Sequence, residues 1–100
     1  MSAAESLQTI DVKTWTGTEI LGSRELARRV RAFLVEQIDK EQPVTLDLQN
    51  IEIMTSAFAD ECFGKLWDRF GSESLKTMIH IKGLTGNNKA IFRFVLENRR

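Results

Sequence analysis

The 100-residue sequence predicts a single α/β domain in which strands and helices alternate, β-α-β-α-β-α, forming a small mixed or parallel sheet covered by helices. Three observations carry that expectation. Short runs with strand-like alternation lie at residues 7–15, 44–48 and 75–82. Between and after them, apolar residues recur at helical spacing. At this length one core can bury enough surface to fold, whereas two would each be marginal.

The elements follow in order. Residues 1–6 carry no pattern and are expected to be disordered, leaving 7–100 as the domain. Ile10, Val12 and Trp15 among threonines make the first strand, and Gly17 and Gly22 bracket a turn. Ser23 then offers a side-chain oxygen to the free N–H groups of a helix, with Glu25 suiting its positive end. Leu26, Val30, Phe33, Leu34 and Ile38 form that helix's apolar stripe, with Arg24, Arg28 and Arg31 largely away from it, and the helix runs to about Asp39. Pro43 forbids further helix, and Val44, Leu46 and Leu48 alternate with Thr45 and Asp47 as a central strand.

From Ser56 onward Ala59, Cys62, Phe63, Leu66 and Phe70 repeat as a second helix. Asp60, Glu61, Lys65, Asp68 and Arg69 are its expected wet face, and Gly71 its left-handed stop. The third strand ends at Gly83, and Asn87 and Asn88 are expected to cap a last helix carrying Ile91, Phe92, Val95 and Leu96. In such sheets ligands gather beyond the carboxyl ends of the strands, here the loops 49–56 and 83–88.

Composition narrows the function. At 42% hydrophobic and 28% charged residues the chain is that of a soluble globular protein, with neither a disordered nor a membrane composition. Fourteen basic residues balance fourteen acidic ones, so no positive field exists to hold a nucleic acid backbone. The single cysteine, Cys62, cannot form an internal disulfide, which suits a reducing, cytoplasmic compartment. The N-terminal residues lack a secretory pattern, and no apolar run approaches the roughly 20 residues of a membrane span. Neither export nor membrane embedding is expected.

Catalytic sets are missing. One His and one Cys on different elements do not make a metal site, so no metal and no cofactor is expected. His80 alternates with Ile79 and Ile81 and faces the other way; a partly buried structural histidine outweighs a catalytic base. Residues 83–86, GLTG, lack the Lys-Ser/Thr pair of a phosphate loop, and turn chemistry explains them. Asp60 and Glu61 are adjacent, so on a helix they diverge by about 100° and cannot face each other as acid and base. An enzyme is not expected. Thr55 and Ser56 have two readings. Either is sufficient as a helix cap, and either could accept a phosphate that the helix N-terminus would accommodate and Asp60 and Glu61 oppose.

From Leu21 onward the sequence resembles the STAS-like domains of unknown function, relatives of the bacterial STAS domains of anti-sigma factor antagonists. The carriers are LGSRELARRV, VTLDLQNIEIMTSAFADECFGKL and GNNKAIFRFV; the Ser23-Arg24 pair and the run from Ala57 to Glu61, followed by Phe63, are the most specific. In the antagonists an Asp-Ser-Ser-Gly turn opens the corresponding helix, and a histidine-kinase-like ATPase phosphorylates its first serine. Ser56 falls at that serine, with Thr55, Ala57 and Phe58 replacing the other three. The resemblance implies a non-enzymatic bacterial regulatory module docking such an ATPase through the helix near Ser56, with Asp60, Glu61, Phe58, Asn87 and Asn88 at the contact. The alternative is a small-ligand or nucleotide sensor using the strand-end loops. Exposed sheet edges leave room for a homodimer.

Overall fold

The computed structural model describes residues 8–98. Strand β1 (Gln8–Asp11) is shorter than the alternation suggested, because Asp11 caps a helical turn, α1 (Val12–Thr16), accepting from the Thr14 N–H at 3.4 Å. Val12 and Trp15, expected in the strand, are therefore helical; Val12 is buried and Trp15 packs on Phe33, ring centroids 4.8 Å apart. Leu7 and the expected disorder of residues 1–6 lie outside the described residues.

Between Gly17 and Gly22 the chain forms β2 (Ile20–Leu21) where a turn or short irregular segment was expected. Helix α2 (Arg24–Asp39) starts where the sequence places it, with Ser23 Oγ accepting from the Leu26 N–H at 3.0 Å. It ends through Glu41, whose φ of 56° is left-handed without being glycine. The Glu41 and Gln42 N–H groups close the end on the Ile38 and Gln37 carbonyls, each at 3.0 Å.

Strand β3 (Val44–Asp47) lies at the centre of a three-stranded sheet, β1-β3-β5, with both pairings parallel. Register aligns Gln8, Val44 and Ile79, then Ile10, Leu46 and Ile81. Val44, Leu46 and Ile79 are buried in one cluster with Ala27, Val30 and Leu34 of α2 and with Leu66. The opposite face carries the row Thr9, Thr45 and His80, of which Thr9 and His80 are exposed and Thr45 is half-buried. The helices thus cover one face rather than both, and His80 is more open than the partly buried histidine expected from sequence.

After β3 the chain forms β4 (Ile53–Met54), which pairs in parallel with β2 as a separate two-stranded sheet. A continuous helical run follows: α3 (Ser56–Ala59), a π-helical segment at Asp60–Gly64, and α4 (Lys65–Met78). Gly71, at φ 86° and ψ 163°, breaks α4 without stopping it. Helix resumes to Met78, so residues 75–78 are not strand, and β5 is only Ile79–Lys82. Leu75 is buried within this resumed helix. Helix α5 (Gly86–Glu97) closes the fold with Thr85 at its cap position.

Gly83 is required at the turn before α5. Its φ is +84°, and a Cβ there would sit 2.5 Å from the Gln49 backbone nitrogen and 2.8 Å from Asp47 Oδ1. This close approach brings the two strand-end loops together. Among the described residues no helix is long and apolar enough to cross a membrane.

Candidate functional site

Thr55 and Ser56 divide the roles that the sequence left open. Strand pairing places Thr55 beside Leu21, with the Thr55 N–H donating to the Leu21 carbonyl at 3.0 Å. Its hydroxyl caps α3, accepting from the Phe58 N–H at 3.1 Å and donating to the Gly22 carbonyl at 3.2 Å. Capping is thereby supplied by Thr55, and Ser56, the first helical residue, is exposed. Ser56 lies in an open depression of about 300 Å³ with Arg24, Ala57, Asp60, Phe94, Val95 and Asn98. Phe94 is 63% exposed, the most open of the large apolar side chains among the described residues.

The acidic pair separates. Asp60 is half-buried, 3.8 Å from Arg24 Nη1, and remains beside the Ser56 depression. Glu61 is only 4% exposed, a correction to its place on the expected wet face. Its carboxylate takes Arg24 Nη1 at 3.0 Å, Arg31 Nη1 at 2.9 Å and Lys65 Nζ at 3.2 Å, and Arg31 also donates to the Glu61 carbonyl. Arg31, foremost, with Lys65 and Arg24, holds the Glu61 carboxyl down at about 2, outweighing the opposing effect of its burial.

Helix geometry explains why Glu61 leaves the wet face. In the π segment the Lys65 N–H reaches the Asp60 carbonyl five residues back, and Glu61, Cys62, Phe63 and Gly64 are all buried together. On a 3.6-residue wheel four consecutive positions span about 300°, more than a single apolar stripe covers. Sequence did hold a signal: Arg24 and Arg31 are seven residues apart, two turns along α2, and so share one side of it. They lie alongside buried Ala27 and Leu34 rather than away from the stripe.

Phe58 and Asn88 are corrections of the same kind, since their side chains are covered and offer no open contact surface. Phe58, 1% exposed, packs in the core with its ring edge-on to Phe63, centroids 6.3 Å apart. Asn88, expected as a cap, is buried and spends its amide elsewhere. Its Oδ1 accepts from the Met54 N–H at 2.9 Å, and its Nδ2 donates to the Ile51 and Glu52 carbonyls at 3.1 and 3.2 Å. This amide ties α5 to the loop that follows β3, across the place where strand-end loops would hold a nucleotide. Asn87 is exposed beside it, and Ser23 is the cap of α2. Cys62 is fully buried and burial pushes its thiol up, so it packs as a hydrophobe and not as a nucleophile.

With this geometry in place, comparison with known proteins adds one match. A family model described as a STAS-like domain of unknown function matches residues 27–89. The chain belongs to that family. The matched stretch of the STAS-like domain runs from the first turns of α2 to the start of α5, taking in Arg31, Ser56, Glu61, Lys65 and Asn88. Arg24 and Phe94 fall outside it, so the rim of the Ser56 depression is built partly from residues beyond the family's shared stretch. No curated protein and no solved structure matches this STAS-like domain.

Proposed function

We propose that this STAS-like domain is a non-enzymatic, cytoplasmic regulatory module of a bacterium. It docks a partner protein, a histidine-kinase-like ATPase, through the face around Ser56, and phosphorylation of Ser56 switches the contact. The observation that carries the reading is the division of labour at the helix start. Thr55 does the capping and is engaged on both sides, so Ser56 presents a hydroxyl with no hydrogen bond among the described residues, beside the exposed ring of Phe94. Of the two phosphoacceptor candidates this favours Ser56, since modifying Thr55 would remove a helix cap. A phosphate on Ser56 would add almost two charges within a depression that holds one cation, Arg24, and one carboxylate, Asp60.

The docking surface then consists of Ser56, Ala57, Asp60 and Phe94, with Asn87 outside it and the side chains of Phe58, Glu61 and Asn88 acting from beneath as its support. Calorimetric titration against histidine-kinase-like ATPases encoded in the same genome tests it. One of them should bind the wild type and Ser56→Ala equally, and bind Ser56→Glu and Phe94→Ala at least about tenfold more weakly. With ATP present, mass spectrometry should find phosphate on Ser56 and none on the Ser56→Ala chain. Absence of binding to any such ATPase, or phosphate retained in Ser56→Ala at equal stoichiometry, would sink the proposal.

A further inference from the structure

A second recess lies away from the Ser56 face, between α4, β5 and α5. It is half-enclosed, has a volume of about 200 Å³ and is lined almost wholly by carbon. Its position follows from the kink at Gly71: Phe63 and Trp67 line it from before the break, Lys76 from after it, and Ile79 and Ile81 of β5 form the floor. Phe92 of α5 completes the wall, its ring edge-on to Phe63 with centroids 5.2 Å apart.

The lining specifies a ligand chemistry. Three aromatic side chains around one small space favour a further ring, which gains edge-to-face contact beyond simple area burial. An apolar cavity of about 150 Å³ suffices for benzene, so the present volume admits one ring with a short tail. Lys76 is the one charged side chain of the lining; it is exposed and makes no ion pair among the described residues. A cation at the mouth of an apolar recess suits an anionic head group left near water while the ring goes inside.

We propose that this recess binds a small monocyclic aromatic carboxylate, ring inward and carboxylate at Lys76. The site is separate from the protein-docking face, and α5 lines both: Phe92 and Leu96 face the recess, whereas Phe94, Val95 and Asn98 line the Ser56 depression. A ligand that seats against Phe92 therefore presses on the helix that carries Phe94.

Titration of the ¹⁵N-labelled chain with 3-phenylpropionate, and separately with 3-phenylpropanol, tests the site without any protein partner. The acid should give saturable shifts at the Trp67 indole N–H and at Ile79 and Ile81, with Trp15 unmoved. It should bind about two- to fivefold more tightly than the alcohol, the gain an exposed ion pair provides. Lys76→Gln, a change at an exposed position, should erase that difference, and Ile81→Phe should abolish binding of both while the spectrum stays dispersed. Four results overturn the proposal: no saturation, equal affinity for acid and alcohol in the wild type, equal shifts at Trp15, or recess shifts that follow protein concentration without ligand. The last would mean that a second copy of the chain fills the recess.

Discussion

Glu61 is where the chemistry of single residues departs furthest from their place in the sequence. A carboxylate this enclosed is stable only because three cations meet it, and its folded-state pKa of about 2 lies below the ordinary value of 4.5. A depressed carboxylate contributes stability that is complete above the unfolded value and is lost as pH falls towards the folded one. Thermal denaturation of the wild type should therefore show a steeper fall in Tm between pH 4.5 and about 2 than Glu61→Gln shows, the variant being the less stable chain at neutral pH. Asn88 makes a second prediction. Asn88→Ala strips partners from the Met54 N–H and from two carbonyls at once, so chemical denaturation should register a loss of about 2–4 kcal/mol. The spacing of Arg24 and Arg31 hinted at a shared partner for them, but neither Glu61 nor Asn88 could be named from sequence. An acidic residue early in a helix and an asparagine near a helix start both have ordinary surface explanations, and only the three-dimensional meeting of distant segments withdraws them from the surface.

Elements show how far local pattern reaches. Ser23, the α2 stripe, Pro43 and the alternation of Val44, Leu46 and Leu48 each carried a strong local signal, and α2 and β3 stand where those signals put them. Two-residue strands such as β2 and β4 carry no period at all, and α1 was hidden because Asp11 caps a turn inside what reads as alternation. The start of α3 offers a sharp contrast between neighbours. Thr55→Ala removes the cap and should destabilise by about 1 kcal/mol, whereas Ser56→Ala should stay within about 0.5 kcal/mol of the wild type in urea unfolding. Equal losses at the two positions would show that Ser56 shares the capping and would remove the observation on which its proposed switching role rests.

For the whole molecule, the predicted α/β class with Val44–Asp47 as the central strand agrees with the structure, and the one-sided cover of the sheet was legible in the alternation of Val44 and Leu46 with Thr45 and Asp47, because strands covered on both faces read as near-continuous apolar runs. Native-state hydrogen exchange should reflect the arrangement: the amides of Val44 and Leu46, on a strand paired along both edges and buried, should exchange last, and those of β1 sooner. Slower exchange in β1 than in β3 would contradict it. The strand order β1-β3-β5 has one more consequence, for synthesis. Within this sheet each strand pairs with the strand of the same sheet made before it, so the sheet can grow in the direction in which the chain leaves the ribosome, with no gap held open for a later insertion. Asn88 reaches back as far as the strands do, 34 to 37 residues, but to Met54 and Ile51 outside that sheet. Until that residue has been made, the Met54 N–H of β4 waits without its partner, and α5, made after β4, is the element that locks it.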